Sequence, residues 1–335
     1  MYGAMSEFEI IKLLTKRAQP AQGGVLVGPG DDCAVLSMND EYDLVVSTDM
    51  LIEDQHFCRS FSSWEERAEK ALMSSASDIA AMGAKAECYT FSLALPGQDS
   101  QKIASELSKG FRLAEQKTAL QLIGGDTCKS DKVTFSITVF GKVAKGKALL
   151  RSGAKAGDDI YVTGSLGAAA LGLCCLQRKV KDEMTTAFVQ RFNLPQARLK
   201  EARVLQNANC ISSMIDLSDG LFKDMSHIAD ASGVGFLLEL EKLPKLANMD
   251  MLCKQLNLNA AELLLAGGED YELLFTVPRS GAKALQSACQ AKENQPLASV
   301  ACIGTIVGDS SERAVLRSDG SRFVPQRHGF DHFNE

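Results

Sequence analysis

The placement of its aspartates constrains this chain more than anything in its bulk composition. Asp31 and Asp32 follow the turn Gly28-Pro29-Gly30. Asp49 closes Leu44-Val45-Val46-Ser47-Thr48, and Asp126 follows Leu122-Ile123-Gly124-Gly125. Asp216 and Asp219 lie in Ile215-Asp216-Leu217-Ser218-Asp219-Gly220, and Asp270 follows Gly267-Gly268-Glu269. Asp78 sits in a predicted helix among Ala76, Ile79, Ala80 and Ala81. A single such aspartate is most often a helix cap or turn former. A carboxylate at the end of a buried strand, however, is poorly solvated unless something offsets it. If several of them converge, their repulsion requires cations. Oxygen ligands of this kind select Mg²⁺ or a similar hard ion over zinc. Glycine pairs beside them let a polyphosphate approach the backbone. The pattern predicts a site for a metal–nucleotide complex.

The familiar nucleotide signatures are missing. There is no G-x-x-x-x-G-K-[ST] loop, no H-R-D or D-F-G element and no G-x-S-x-G elbow. Any ATP site must therefore use a carboxylate-rich design. The four histidines are too scattered for zinc, and the 10 cysteines contain no C-x-x-C pair, which fits reduced thiols acting as small hydrophobes. A formal net charge of -6 with no run of Lys and Arg argues against nucleic acid or an anionic membrane as partner. No apolar stretch is long enough to span a bilayer, and no basic-then-apolar leader opens the sequence, so a cytoplasmic location is expected.

With 335 residues the chain is expected to form two domains. Apolar spacing predicts a helix over residues 6–18. Strand-like runs cover 33–38 and 43–48. The capping box Ser63-x-x-Glu66 starts a helix at Trp64 that ends near Gly83. Further strands are expected over 87–95, 120–123 and 133–143, with a helix over 100–117 between the first two. Lys145-Gly146-Lys147 marks a change of domain, dividing the chain into 5–147 and 148–335, with Met5 read as the natural start. Beyond it come a strand at 160–163, a small-residue helix over 164–176, a strand at 214–217 and a helix over 221–231. The mixed order of strands and helices predicts an α+β sheet architecture within the α/β class.

The ordered blocks resemble the thiamine-monophosphate kinase family, in the aminoimidazole-ribonucleotide-synthetase-like superfamily. They are Gly30-Asp31-Asp32-Cys33-Ala34, Ser47-Thr48-Asp49-Met50-Leu51 with His56-Phe57, and Ser77-Asp78-Ile79-Ala80-Ala81-Met82-Gly83-Ala84. Gly124-Gly125-Asp126-Thr127, Arg151-Ser152-Gly153-Ala154, 215–221, 267–273 and the closing Gly329-Phe330-Asp331-His332-Phe333 complete the set. Where the family often has Asn-Leu before Ser-Asp, this chain has Ser75-Ala76.

The resemblance implies a two-domain fold that forms a homodimer through its N-terminal sheets, with a C-terminal α/β domain completing the nucleotide and substrate site. Carried over by position, it implies that Asp32, Ser47, Thr48, Asp49, Asp78, Asp126 and Asp216 hold several Mg²⁺ ions, with Asp219 on a further one. Gly125, Asp126, Arg151 and Ser218 would contact ATP. His56, Glu269 and Phe330 would contact thiamine monophosphate. Asp49, Asp126 and Arg151 would be central to transfer of the γ-phosphate of ATP to the monophosphate.

An acceptor phosphate is largely anionic near neutral pH, so a site rich in Asp and poor in His suits direct in-line transfer. Two enzymes of the same superfamily are rival readings. A selenophosphate synthetase would carry a reactive Cys in the glycine-rich segment 23–30, and a hydrogenase-maturation dehydratase would end in Cys. Neither feature is in this sequence. A metal-dependent nucleotide-binding regulator is the reading from a different class.

Overall fold

The computed structural model describes residues 7–16, 23–180, 182–291, 294 and 297–330. Two sheets organise them. The first contains β1 (Val25–Val27), β2 (Ala34–Ser37), β3 (Tyr42–Ile52), β4 (Lys85–Leu95), β5 (Gln121–Lys129) and β6 (Thr134–Ala144), in the order β1-β2-β3-β6-β4-β5. The second contains β7 (Asp159–Thr163), β8 (Ser213–Asp216), β9 (Gly235–Glu239), β10 (Leu273–Val277), β11 (Val300–Val307), β12 (Arg313–Leu316) and β13 (Arg322–Phe323). Its order is β13-β12-β9-β11-β7-β10-β8. Each sheet has its own apolar core.

The helices are α1 (Glu7–Thr15), α2 (Trp64–Ala81), α3 (Ser100–Thr118), α4 (Ala168–Gln177), α5 (Thr186–Asn193), α6 (Leu199–Ala208), α7 (Leu221–Ser232), α8 (Met249–Gln255), α9 (Ala260–Ala266) and α10 (Ala282–Gln290). The expected capping box forms at α2. Ser63 Oγ accepts from the Glu66 amide at 3.2 Å, while the Ser63 amide donates to Glu66 Oε2 at 2.7 Å. A cap of this kind stabilises a helix by roughly 0.5–2 kcal/mol. From Arg67 to Ala81 every residue of α2 except Asp78 is buried. Its last turn enters a third apolar cluster in which Ala80 and Ala81 meet Ala202 and Leu205 of α6, Met214 of β8 and Phe275 of β10. Small side chains allow this helix to lie against both halves of the chain at once.

Three expectations change. The strand at 43–48 continues to Ile52, because all of Tyr42–Ile52 pairs with Ala144–Thr134 of β6. Asp49 is therefore within a strand and not at its end. The strand at 120–123 likewise continues through Asp126 to Lys129, parallel to β4. This requires Gly125, since a Cβ there would lie 1.8 Å from the Phe91 carbonyl oxygen. The helix expected over 164–176 begins at Ala168, because Gly164 and Gly167 take φ of 61° and 67°, outside the helical region. Residues 5, 6, 17, 18 and 331–333, on which some expectations fall, lie outside the described residues.

Candidate active site

Helix α2 lies where β3 of the first sheet approaches β8 of the second, and four carboxylates meet there. Asp32 immediately precedes the β2 region, Asp49 is on β3, Asp78 is in the last turn of α2, and Asp216 ends β8. One oxygen from each of Asp32, Asp78 and Asp216 lies within 4.8 Å of the others. Asp49 joins them, since its charge pushes up the carboxyls of both Asp78 and Asp216 in addition to the effect of burial. Side chains alternate along a strand, so Ser47 and Asp49 share the face covered by α2. Ser47 Oγ donates to Asp78 Oδ2 at 2.5 Å. The Ser75 hydroxyl opposes the upward effect of burial on Asp49. Thus one residue that departs from the family pattern still supplies a donor to the cluster.

Electrostatics makes this arrangement unstable on its own. Burial first, then the neighbouring Asp216 and Asp31 charges, raise Asp32 to about 8 against the pull of Arg151. Burial raises Asp216 to about 6, and Asp78 stands well above the usual carboxylate range. Each ionised pair at this separation repels by roughly 3–4 kcal/mol at an effective dielectric of about 20. One guanidinium opposes them: Arg151 Nη2 lies 2.6 Å and Nε 3.2 Å from Asp32 Oδ1. One positive charge does not balance four carboxylates, so the cluster takes up either protons or a cation. Asp32 Oδ2 and Asp216 Oδ2 are buried with no hydrogen-bond partner in the structure. Buried, unfilled carboxylate oxygens in a set containing only oxygen donors fit a hard divalent cation.

The remaining expected residues divide by location. Arg151 is in the cluster, and its backbone amide also donates to Asp31 Oδ2 at 3.1 Å. Ser218 and Asp219 follow Asp216 in the turn before α7. Asp219 Oδ2 is 2.8 Å from Lys223 Nζ, and the Phe330 amide donates to the Asp219 carbonyl at 3.0 Å, which places Phe330 at the same turn. The Glu269 amide donates to the Ser218 carbonyl at 2.8 Å. His56 lies in the turn after β3, where its Nδ1 accepts from the Ile52 amide at 3.0 Å.

Thr48 and Asp126 are not brought to the cluster within one chain. Thr48 faces away from α2, its hydroxyl 3.0 Å from that of Thr138. Register carries the same conclusion to Asp126. Asp49 is paired with Ile137, Ile137 with Phe91 and Phe91 with Gly125, so Asp126, paired with Ser92, lies on the opposite face. Strands β6 and β4 also separate it from β3. Asp270 belongs to the scaffold, where its carboxylate accepts from the amides of Gly167 and Ala169 near the start of α4.

Several site residues were not anticipated. Ser75, Ser77 and Lys70 lie on α2 with Asp78. Tyr271, at a positive φ of 50°, places its phenol near Glu269, Asp49, Asp216 and Asp78; burial and those charges hold its pKa well above the usual value. Asp224 closes the Asp219 turn by accepting from the amides of Asp219 and Gly220 at 3.2 and 3.0 Å. Part of the signal was present in the sequence: Lys70, Ser74, Ser77 and Asp78 follow one another at helical spacing, although nothing local marks Lys70 as buried.

Comparison with known proteins agrees with this geometry. Residues 30–143 match the model of the AIR synthase related protein N-terminal domain, and residues 155–317 match that of its C-terminal domain. The chain is 36% identical to the thiamine-monophosphate kinase of Salmonella typhimurium, covering 98% of this chain and 99% of that protein. It is 32% identical to the thiamine-monophosphate kinase of Bacillus subtilis, covering 98% of this chain and 100% of that protein. The solved structure of AaThiL complexed with AMPPCP and TMP superposes with a TM-score of 0.81 at 30% identity, covering 98% of this chain and 97% of that one. The hydrogenase maturation protein HypE, in a complex with HypF, shares the fold alone, with a TM-score of 0.73 at 16% identity over 95% of this chain and 99% of that one. The chain belongs to the AIR-synthase-related family and, within it, to the thiamine-monophosphate kinases.

Proposed function

We propose that this chain transfers the γ-phosphate of ATP to thiamine monophosphate, giving thiamine diphosphate and ADP. The observation that carries this reading is the cluster of Asp32, Asp49, Asp78 and Asp216, of which Asp32 and Asp216 are buried, with Ser47 and Arg151, between the two sheets. The named relatives and the AMPPCP complex of AaThiL support the same reaction. Asp32, Asp49, Asp78 and Asp216, with Asp219 beside them, would hold several Mg²⁺ ions, which when bound neutralise phosphate charge and reduce repulsion between donor and acceptor.

The chain's own groups do the rest. Arg151, held at Asp32, is available to a phosphate oxygen. Ser218 sits on the exposed turn beside the cluster, available to ATP. The acceptor phosphate is already anionic, so no protein base has to remove its proton. An acceptor oxygen bonds to the γ-phosphorus while the bond to the β-phosphate oxygen breaks and ADP leaves. His56, Glu269 and Phe330 are assigned to the acceptor, Glu269 and Phe330 flanking the Ser218–Asp219 turn. We assign the dimer contacts and most metal ligands to residues 5–147, and Asp216, Asp219 and the completion of the nucleotide and substrate site to 148–335. Ten free thiols suit a reducing cytoplasm.

The functional unit in this reading is a homodimer. All of β5 is exposed, including Leu122 and Ile123, and it is an edge strand with unpaired backbone groups. Met50 is 56% exposed on the same open face of the sheet as Thr48 and Asp126. A second copy covering this face would bring Gly125, Asp126 and Thr48 to the bound ATP from across the interface.

The test is an acceptor panel. With ATP and Mg²⁺, thiamine monophosphate should yield thiamine diphosphate and ADP in equal amounts, and unphosphorylated thiamine should yield neither. ADP release with no thiamine diphosphate would contradict the reading.

A further inference from the structure

Lys70 is the least expected charge in the molecule. It lies on α2, is only 5% exposed, and has its ammonium 3.6 Å above the Phe192 ring. Glu269 Oε1 is 3.0 Å away, an ion-pair distance, yet no hydrogen bond to Lys70 Nζ meets the directional requirement. An ammonium removed from water costs several kcal/mol unless it is paired and hydrogen-bonded. The pair joins the two halves of the chain, and its carboxylate is still 31% exposed and so open to a ligand.

The surroundings give the pair a direction. Lys70 and Asp78 are eight residues apart on α2, so they mark two points about 12 Å apart along the helix axis. Asp78 is in the carboxylate cluster. Lys70 is at the far end of the same polar stripe, beside a small cavity lined by Phe57, Phe61, Arg67 and Phe192. Glu269 is held by backbone strain, at a positive φ of 65° that costs of order 1–3 kcal/mol in a non-glycine residue. Its amide is fixed to the Ser218 carbonyl. The carboxylate is thus aimed from the second domain across the cleft to the first, and Lys70 is the group it meets.

We infer that Lys70 is a positioning residue for the acceptor: its buried ammonium fixes the Glu269 carboxylate as the anionic contact for the ring end of the acceptor, two turns of α2 away from the phosphate-binding cluster. The inference rests on the assignment of Glu269 to the acceptor. A half-exposed carboxylate presented at the cleft, about two helical turns from a cluster suited to phosphates, fits an acceptor carrying an amine or a cationic ring at one end and a phosphate at the other. Lys70 also keeps the region near neutral, so that Glu269 does not repel the acceptor phosphate as it enters.

A double-mutant cycle tests this on the intact enzyme with ATP, Mg²⁺ and thiamine monophosphate. Lys70→Met keeps the length and apolar stem of the side chain and removes the charge. It should raise the KM for thiamine monophosphate about tenfold, with kcat changed less than about threefold and the KM for ATP unchanged. Glu269→Gln should raise the same constant, and adding Lys70→Met to it should cost less than about twofold more, because the lysine acts through the carboxylate. A merely structural lysine would lower Tm without separating the two KM values. A folded Lys70→Met variant with an unaltered KM for thiamine monophosphate overturns the inference, as does an equal effect of Lys70→Met in both backgrounds. An unaltered KM in Glu269→Gln would instead remove the assignment of Glu269, and wild-type enzyme inactive on thiamine monophosphate would remove the proposed function itself.

Discussion

Asp49 and Asp126 lie on opposite faces of one sheet, with β6 and β4 between their strands. If both serve the same phosphate-binding centre, they belong to different copies of the chain. Asp49→Asn and Asp126→Asn should each abolish transfer while leaving the protein folded, since loss of a ligand from a metal–phosphate centre costs orders of magnitude in rate. A mixture of the two variants, dissociated and reassembled, should recover roughly a quarter of wild-type activity, because half of randomly formed two-fold dimers are mixed and each has one intact site. No recovery in demonstrably mixed dimers would place both residues in the same chain's site, contrary to the register argument. Near-wild-type turnover in either single variant would remove that residue from the centre.

The metal-free protein should respond to pH in a defined direction. Asp32 and Asp216 are raised to about 8 and about 6 by burial in the folded state, whereas unfolded aspartates titrate near about 3.9. The native state then binds more protons than the unfolded state between about pH 4 and pH 8, so stability falls as pH rises through that window. In the proposed function Mg²⁺ would take the place of those protons. The gain in Tm on adding Mg²⁺ should be larger at about pH 8 than at about pH 5.5. A metal-free Tm that rises over the same interval would contradict the cluster's electrostatics.

The cysteines nearest the site should be dispensable. Cys33 is buried next to the carboxylates, and burial followed by the Asp78 and Asp32 charges pushes its thiol well above the ordinary range, which keeps it protonated and poorly nucleophilic. Cys128 is exposed on β5. Replacing both with Ala should retain more than about a tenth of the activity, a barrier change below about 1.4 kcal/mol. Total loss in a folded double variant would point to a covalent intermediate.

Phe330 should serve the acceptor alone. Its amide is tied to Asp219 and its carbonyl accepts from Lys223, while the residue remains 41% exposed and able to offer a face to a ligand. Stacking on a pyrimidine and attraction to a thiazolium are worth roughly 0.5–2 kcal/mol, with Phe toward the lower end. Phe330→Ala should raise the KM for thiamine monophosphate several-fold and leave that for ATP nearly unchanged. An equal rise in both constants, or a fall in Tm with neither KM altered, would count against this role.

What the amino-acid order reveals differs from residue to residue. Helix α2 could be placed from Ser63 and Glu66 alone, because a capping box is a local signal. A short strand was expected over 214–217, and the structure ends it one residue earlier, at Asp216. The length of β3 and β5 was not readable, since both continue only because β6 and β4 are there to pair with them, and tertiary pairing is absent from local propensity. Alternation already implied that Thr48 and Asp49 face opposite ways, but the face carrying Asp126 depends on the order β3-β6-β4-β5 and on a bulge in β4–β5 pairing. Lys70 was overlooked because a lone lysine in a helix is normally a solvated side chain; only the burial of α2 on several sides gives it meaning. Tyr271 depends on the second domain folding back toward the first, which no short window of sequence records.

The central claim is that the carboxylate cluster is the metal–phosphate centre of a thiamine-monophosphate kinase. The most direct test is to measure thiamine diphosphate formed from ATP and thiamine monophosphate by wild-type protein, with Mg²⁺ and with a chelator in its place. The account predicts thiamine diphosphate in one-to-one ratio with ADP when Mg²⁺ is present, and none when it is chelated. Formation of thiamine diphosphate in the chelator, or its absence with Mg²⁺ despite bound ATP, would contradict it.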